Sequence, residues 1–191
     1  MNIANKLTVW RIILIPFFLI CFYVTGLSET YLRVGGLELP YSHFLGLIIF
    51  LVAAVTDFFD GYLARKHNMI TNFGKFMDPL ADKLLVTAAF LVFIELGLLP
   101  GWAVFIILAR EFMVTGLRTL AAAKGVIMAA GWTGKLKTVV QFAMIAVLLL
   151  NNWPFSLWGI PVDALLIWLA VLLTVASGAE YLLKNLAVLK D

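Results

Sequence analysis

Four aspartates fall within one charged stretch of a largely apolar chain, at spacings that favour two helical stripes. Asp57 and Asp60 lie three residues apart, and Asp78 and Asp82 lie four apart, so each pair shares one face of a helix. Carboxylates that converge repel one another unless cations neutralise them. Aspartate oxygens suit Mg²⁺ or Mn²⁺ rather than zinc. The spacing therefore predicts a metal site, and we expect it to hold two ions.

Small residues continue both acidic stripes. Gly61 and Ala64 follow the aspartates of the first stripe, and Gly74 precedes those of the second. Side chains this small allow a flat ligand or another helix to approach the backbone closely. Arg65 follows at the end of the first stripe. The competing interpretation is that the acids form salt bridges with Arg65 and nearby lysines and only stabilise a rim of the protein.

Almost everything around these acids is apolar. Of the 191 residues, 63% are hydrophobic and 13% are charged, an apolar share well above that of a soluble domain. Each apolar segment is long enough for a helix of about 20 residues, which can cross a bilayer. The six segments are Leu7–Gly26, His43–Arg65, Gly74–Leu98, Trp102–Ala123, Thr133–Asn151 and Pro161–Asn185. The sequence predicts an all-α polytopic membrane protein with six transmembrane helices, a single domain over residues 1–191, and no nucleic-acid partner.

Basic residues alternate between the two ends of these segments. Lys6 and Arg11 are counted with the N-terminal charges. Other lysines and arginines follow the second, fourth and sixth segments. In the loops at the opposite ends of the segments, Arg33 is the only basic residue. The positive-inside rule then places both termini and the aspartate-rich loop in the cytoplasm, at the plasma membrane. Asn2–Trp10 is predicted to form a short helix along the inner membrane surface.

The two acidic stripes together resemble the signature of the CDP-alcohol phosphotransferases. The matching positions are Asp57-x-x-Asp60-Gly61-x-x-Ala64-Arg65, then eight residues, then Gly74-x-x-x-Asp78-x-x-x-Asp82. All eight fixed positions are present within 26 residues. The six-helix pattern also fits that family, so the resemblance spans nearly the whole chain.

The resemblance implies a role for each motif residue. Asp57, Asp60 and Asp78 would hold the metals, and Asp82 would contribute to the second ion and act as general base. The metals would bind the pyrophosphate of CDP-diacylglycerol. Its cytidine diphosphate moiety would be accommodated by Gly61, Ala64, Arg65 and Gly74. An acceptor hydroxyl would attack the lipid-side phosphorus and release CMP, and the family implies a homodimer.

Four further stretches resemble the family members that use glycerol 3-phosphate as acceptor. They are Asn5–Arg11 (NKLTVWR), Asp78–Leu85 (DPLADKLL), Arg110–Arg118 (REFMVTGLR) and Gly134–Thr138 (GKLKT). Ala4 departs from the pattern, because such enzymes often have proline before the asparagine. That departure concerns only where the N-terminal helix starts.

Basic residues of the fourth and fifth segments, including Arg110 in the middle of the fourth, suggest where an acceptor binds. Arg110, Arg118, Lys135 and Lys137 could form a basic pocket beside the metal site, and an arginine inside a membrane span is costly enough to suggest a function. The competing interpretations are an Arg110–Glu111 or Arg110–aspartate pair that locks helices together and a cytoplasmic rim for the other three. A phosphorylated acceptor suits such a pocket. Charge alone leaves glycerol 3-phosphate, inositol phosphate and phosphatidylglycerol open and makes serine less suitable.

A divalent-cation transporter is the alternative from a different functional class. A transport path needs polar residues spread across the depth of the membrane. The acids here crowd at one end, and the outer halves of the second, third, fifth and sixth segments are apolar. A structural scaffold would explain neither the spacing nor the cost of the charges, so the sequence favours an enzyme.

Overall fold

Helices form most of the part of the chain that the structure describes. A computed structural model describes the backbone at residues 3–34, 37–66, 72–125 and 131–185, and the side chains there except at 3–5, 34, 37, 58–66, 72–76, 78, 79 and 123. The long helices are α1 (Ile3–Tyr23), α3 (Tyr41–Lys66), α4 (Asn72–Glu95), α5 (Gly101–Ala123), α6 (Trp132–Leu149) and α7 (Val162–Lys184). Each of the six predicted apolar segments corresponds to one of them.

Shorter elements occupy two of the connections. Helix α2 (Thr25–Glu29) and an antiparallel hairpin of β1 (Tyr31–Val34) and β2 (Leu37–Pro40) join α1 to α3. In the hairpin, Leu32 lies opposite Leu39 and Arg33 opposite Glu38. A 3₁₀ turn, Phe155–Trp158, lies between α6 and α7.

The predicted separate helix over Asn2–Trp10 is wrong for the residues that the structure describes. Helix α1 runs without a break from Ile3 to Tyr23, and Asn2 lies outside the described residues. Thr8 and Arg11 are buried, because α1 packs against α3 and α4. Arg11 is therefore an interior residue and not one of the exposed N-terminal charges that the sequence analysis counted.

The helices pack in two groups that share one apolar core. Helix α1 packs against α3 and α4, while α7 packs against both α6 and α5. All six long helices contribute side chains to the core, among them Phe18, Phe50, Phe90, Phe93, Ile107, Met144, Ile145 and Ala170. The turn after α4 is a Schellman motif: Gly97 takes φ +71°, and Leu98 N–H donates to the Phe93 carbonyl at 2.8 Å, which satisfies a terminal carbonyl of the helix.

Large apolar side chains also cover the outer faces of the helices. Phe105, Leu165 and Val139 are all exposed, and surface of this kind around a whole helical bundle indicates a lipid environment. Three described segments are long and apolar enough to cross a membrane: Lys6–Tyr23, Trp132–Leu149 and Val162–Lys184. The protein is therefore embedded in a membrane.

Candidate active site

A cavity of about 800 Å³ opens among α4, α5, α6 and α7. Five predicted site residues on these helices have described side chains, and all five line the cavity: Asp82, Arg110, Arg118, Lys135 and Lys137. Asp82 comes from α4, the two arginines come from α5, and the two lysines come from the first turns of α6. The basic residues predicted to bind an acceptor phosphate therefore share one cavity with the predicted general base.

Glu111 links two of these basic residues. Its Oε1 accepts from Arg110 Nη1 at 3.4 Å, and Lys137 Nζ binds the same oxygen. The Arg110 side chain is only 11% exposed, and Lys137 is buried. The predicted Arg110–Glu111 pair is therefore present, and Glu111 is also paired with Lys137 of α6.

Two glycines bring neighbouring helices close to Arg110. A Cβ on Gly178 of α7 would lie 3.1 Å from Arg110 Cγ, and a Cβ on Gly134 of α6 would lie 3.6 Å from Arg110 Nη2. Arg110 Nε is buried, and among the described residues it has no hydrogen-bond partner. A buried guanidinium N–H without a partner is costly, and an anion in the cavity would remove that cost.

Arg118 is held by Tyr181 of α7. Its Nε donates to the Tyr181 hydroxyl at 3.2 Å, and its guanidinium carbon lies 5.5 Å from the centre of the tyrosine ring. Tyr181 itself packs with Val114 and Leu117 of α5. This packing orients one arginine of the cavity, because an aromatic face attracts a guanidinium cation.

The sequence analysis missed several polar residues of the cavity wall. Thr133 Oγ1 donates to Glu180 Oε2 at 2.6 Å, and Lys184 Nζ donates to Glu180 Oε1 at 2.5 Å. Between α4 and α5, Lys83 Nζ donates to Thr115 Oγ1. The i,i+4 spacing of Glu180 and Lys184 was visible in the sequence, but no local pattern indicated that α7 lies against the first turn of α6.

Asp57 lies on α3, where Arg11 of α1 reaches it. Arg11 Nη1 and Asp57 Oδ1 are 2.5 Å apart, with the arginine side chain 1% exposed and the aspartate side chain 41% exposed. Asp82 interacts electrostatically with Asp57, Arg11 and Lys137. The buried arginine therefore partly offsets the mutual repulsion of these two predicted metal ligands.

Comparison with known proteins gives the family. The CDP-alcohol phosphatidyltransferase family model matches residues 1–176. The chain belongs to this family. A Bacillus subtilis (strain 168) CDP-diacylglycerol–glycerol-3-phosphate 3-phosphatidyltransferase is 48% identical over 189 residues, which cover 99% of this chain and 97% of the relative.

Two relatives from other bacteria support the assignment. A Shigella flexneri protein with the same name as the Bacillus relative is 39% identical, with coverage of 100% of this chain and 98% of the relative. A probable phosphatidylglycerophosphate synthase of Mycobacterium tuberculosis is 39% identical, with coverage of 97% and 82%. The CDP-alcohol phosphatidyltransferase resemblance drawn from the motif is thereby confirmed.

Most of the CDP-alcohol phosphatidyltransferase motif falls where only the backbone is described. Asp60, Gly61, Ala64 and Arg65 lie in α3, and Gly74 and Asp78 lie in α4, but their side chains lie outside the described residues. Among the side chains that are described, no three potential metal ligands cluster. The four-aspartate metal site and the cytidine diphosphate surface therefore stay predictions.

A second, smaller cavity of about 60 Å³ adjoins the first. Asp82, Glu111 and Lys137 line both cavities, whereas Gln141 lines only the small one. Gln141 is 5% exposed, and within the described part of the chain its Nε2 has no hydrogen-bond partner. Polar residues of α4, α5 and α6 thus extend the site into the bundle.

Proposed function

We propose that this protein transfers a phosphatidyl group from CDP-diacylglycerol to glycerol 3-phosphate, giving phosphatidylglycerophosphate and CMP in phospholipid biosynthesis. The observation that carries the proposal is the cavity that Asp82 lines together with six basic residues, among them Arg110, Arg118, Lys135 and Lys137. A phosphorylated, water-soluble acceptor needs cations for its phosphate and a base for its hydroxyl. The names of the Bacillus and Shigella relatives describe this reaction.

The acceptor end of the reaction uses residues of the cavity. Arg110, Arg118, Lys135 and Lys137 bind the phosphate of glycerol 3-phosphate through charge-assisted hydrogen bonds. Asp82 takes the proton of the attacking hydroxyl. The hydroxyl oxygen then bonds to the lipid-side phosphorus, the bond from that phosphorus to the CMP oxygen breaks, and CMP leaves with the electron pair.

The donor end of the reaction is proposed to lie on the motif of α3 and α4. Asp57 and Asp82 lie within electrostatic range of each other, and carboxylate oxygens are the ligand type that Mg²⁺ and Mn²⁺ prefer. Two such ions held by Asp57, Asp60, Asp78 and Asp82 would neutralise the pyrophosphate of CDP-diacylglycerol. The cytidine diphosphate moiety would lie along Gly61, Ala64, Arg65 and Gly74.

The membrane arrangement follows from the same proposal. We propose that all six long helices cross the plasma membrane, with both termini and the cavity on the cytoplasmic side. The support is the distribution of basic residues in the sequence. Residues 1–191 would form one domain, and two copies would form a homodimer, as the family resemblance implies.

Release of CMP from CDP-diacylglycerol by the purified protein in detergent tests the proposal. We expect release with glycerol 3-phosphate in the presence of Mg²⁺ or Mn²⁺, and none with serine, inositol or inositol phosphate offered separately. Release with another alcohol alone would replace the proposed acceptor. No release with any acceptor would contradict the enzymatic function and favour a test of divalent-cation transport in vesicles.

A further inference from the structure

Glu111 is the acidic residue that accompanies Asp82 in both cavities. It lies next to Arg110 on α5 and interacts electrostatically with Asp82. Arg118 and Lys135 line only the large cavity. Glu111, Lys137 and Asp82 line both cavities, so Glu111 lies where the large cavity meets the small one, beside the proposed base.

The two carboxylate oxygens of Glu111 have different surroundings. Arg110 and Lys137 both bind Oε1. For Oε2, no hydrogen bond or ion pair is found among the described residues. The side chain is thus fixed through one oxygen and is only partly buried, and Oε2 remains as an acceptor for a ligand in the cavity.

We propose that Glu111 determines acceptor specificity by accepting a hydrogen bond at Oε2 from the non-reacting hydroxyl of a polyol phosphate. This inference rests on the function proposed above. Glycerol 3-phosphate carries a hydroxyl between its phosphate and its reacting hydroxyl, and the same cavity wall carries Glu111 besides the proposed phosphate ligands and the proposed base Asp82. A carboxylate accepts strong hydrogen bonds from hydroxyl groups. It repels an acceptor substrate that carries its own carboxylate at this position.

A purely structural role for Glu111 is the alternative, because the residue also orients Arg110 and Lys137. That role would affect every phosphorylated acceptor equally. Recognition of the middle hydroxyl would affect only acceptors that have one. The two roles are therefore separated by the ratio of kcat/KM for two acceptors, and not by the activity with either one.

The experiment compares glycerol 3-phosphate with 3-hydroxypropyl phosphate, which keeps the phosphate and the reacting hydroxyl and lacks the middle one. In the unmodified protein, we expect kcat/KM to favour glycerol 3-phosphate by about 10- to 150-fold, the range for one hydrogen bond to a charged group. In Glu111→Ala, we expect the ratio to fall below about 3. Glu111→Gln keeps the size and a weaker acceptor, and we expect an intermediate ratio.

Glu180→Ala serves as the matched control, since Glu180 is another acid of the cavity wall with both oxygens already bonded. We expect this variant to keep the unmodified ratio. An unchanged ratio in Glu111→Ala, with lower activity toward both acceptors, would overturn the inference and leave the proposed function intact. A ratio near 1 in the unmodified protein would also overturn it. Absence of CMP release with both acceptors would instead overturn the proposed function, and the inference with it.

Discussion

Arg110→Gln is the substitution that tests the phosphate end of the site most directly. Arg110 is 11% exposed, its Nε has no hydrogen-bond partner among the described residues, and it lines the large cavity. Glutamine removes the charge, while Lys137 keeps its own contact with Glu111. The substitution therefore removes a ligand contact and leaves a second basic residue to neutralise the glutamate.

The expected loss follows from the burial of the guanidinium. A hydrogen bond to a charged group contributes about 1.5–3 kcal/mol, and little solvent reaches Arg110 to weaken it. At about 1.4 kcal/mol for each factor of ten, kcat/KM for glycerol 3-phosphate should fall by about 10- to 150-fold. We expect the loss mainly as a higher KM for glycerol 3-phosphate, because the phosphate is bound throughout the reaction.

The assay is CMP release, with each substrate varied at a saturating level of the other. Arg33→Gln is the control, since Arg33 is 74% exposed and pairs with Glu38 in the hairpin, away from the cavity. We expect it to stay within about twofold of the unmodified protein. A KM for glycerol 3-phosphate that is unchanged in Arg110→Gln would refute the reasoning. Equal increases in KM for both substrates, or a lower thermal unfolding temperature in detergent, would show a structural effect instead.

Three further predictions concern other parts of the site. Asp82→Asn should lower CMP release by at least about 100-fold, the lower range for loss of a general base. Binding of CDP-diacylglycerol in a vesicle-flotation assay should persist. Near-normal turnover would exclude Asp82 as the general base. Gly178→Ala should displace the Arg110 stem, because the new Cβ would lie 3.1 Å from Arg110 Cγ, and should raise the KM for glycerol 3-phosphate several-fold. Gly116→Ala, which meets nothing within 4 Å, should leave that KM unchanged and favour the helix by up to about 1 kcal/mol; equal KM values in the two variants would contradict the packing explanation. Treatment with EDTA should abolish CMP release and excess Mg²⁺ or Mn²⁺ should restore it, whereas activity that persists in EDTA would exclude the proposed metal dependence.

The long helices could be predicted from the sequence, because the length of an apolar segment can be read from consecutive residues. The second segment was placed at His43–Arg65, and α3 covers Tyr41–Lys66. The hairpin was missed, since its two strands have only four residues each. Gly35 and Gly36 between them were a turn signal in the sequence, but a strand that short carries little alternation.

The candidate site was predictable only where charge stood out from an apolar background. Arg110 and Lys137 were identified in this way, and the structure places them in one cavity. Tyr181 and Thr133 were not identified, because each acquires its partner only when α7 packs against α5 and α6. The contact of Arg11 with Asp57 joins residues 46 positions apart, and no helical spacing predicts such a pair.

That same ion pair has a consequence for the synthesis of the protein. At roughly 5–20 residues per second, the 46 residues from Arg11 to Asp57 take about 2–9 s to translate. During those seconds, the carboxylate that Arg11 contacts in the finished protein has not yet been made, and a guanidinium at membrane depth is costly. The Arg11–Asp57 contact, and with it the packing of α1 against α3, can therefore form only after α3 has been synthesised.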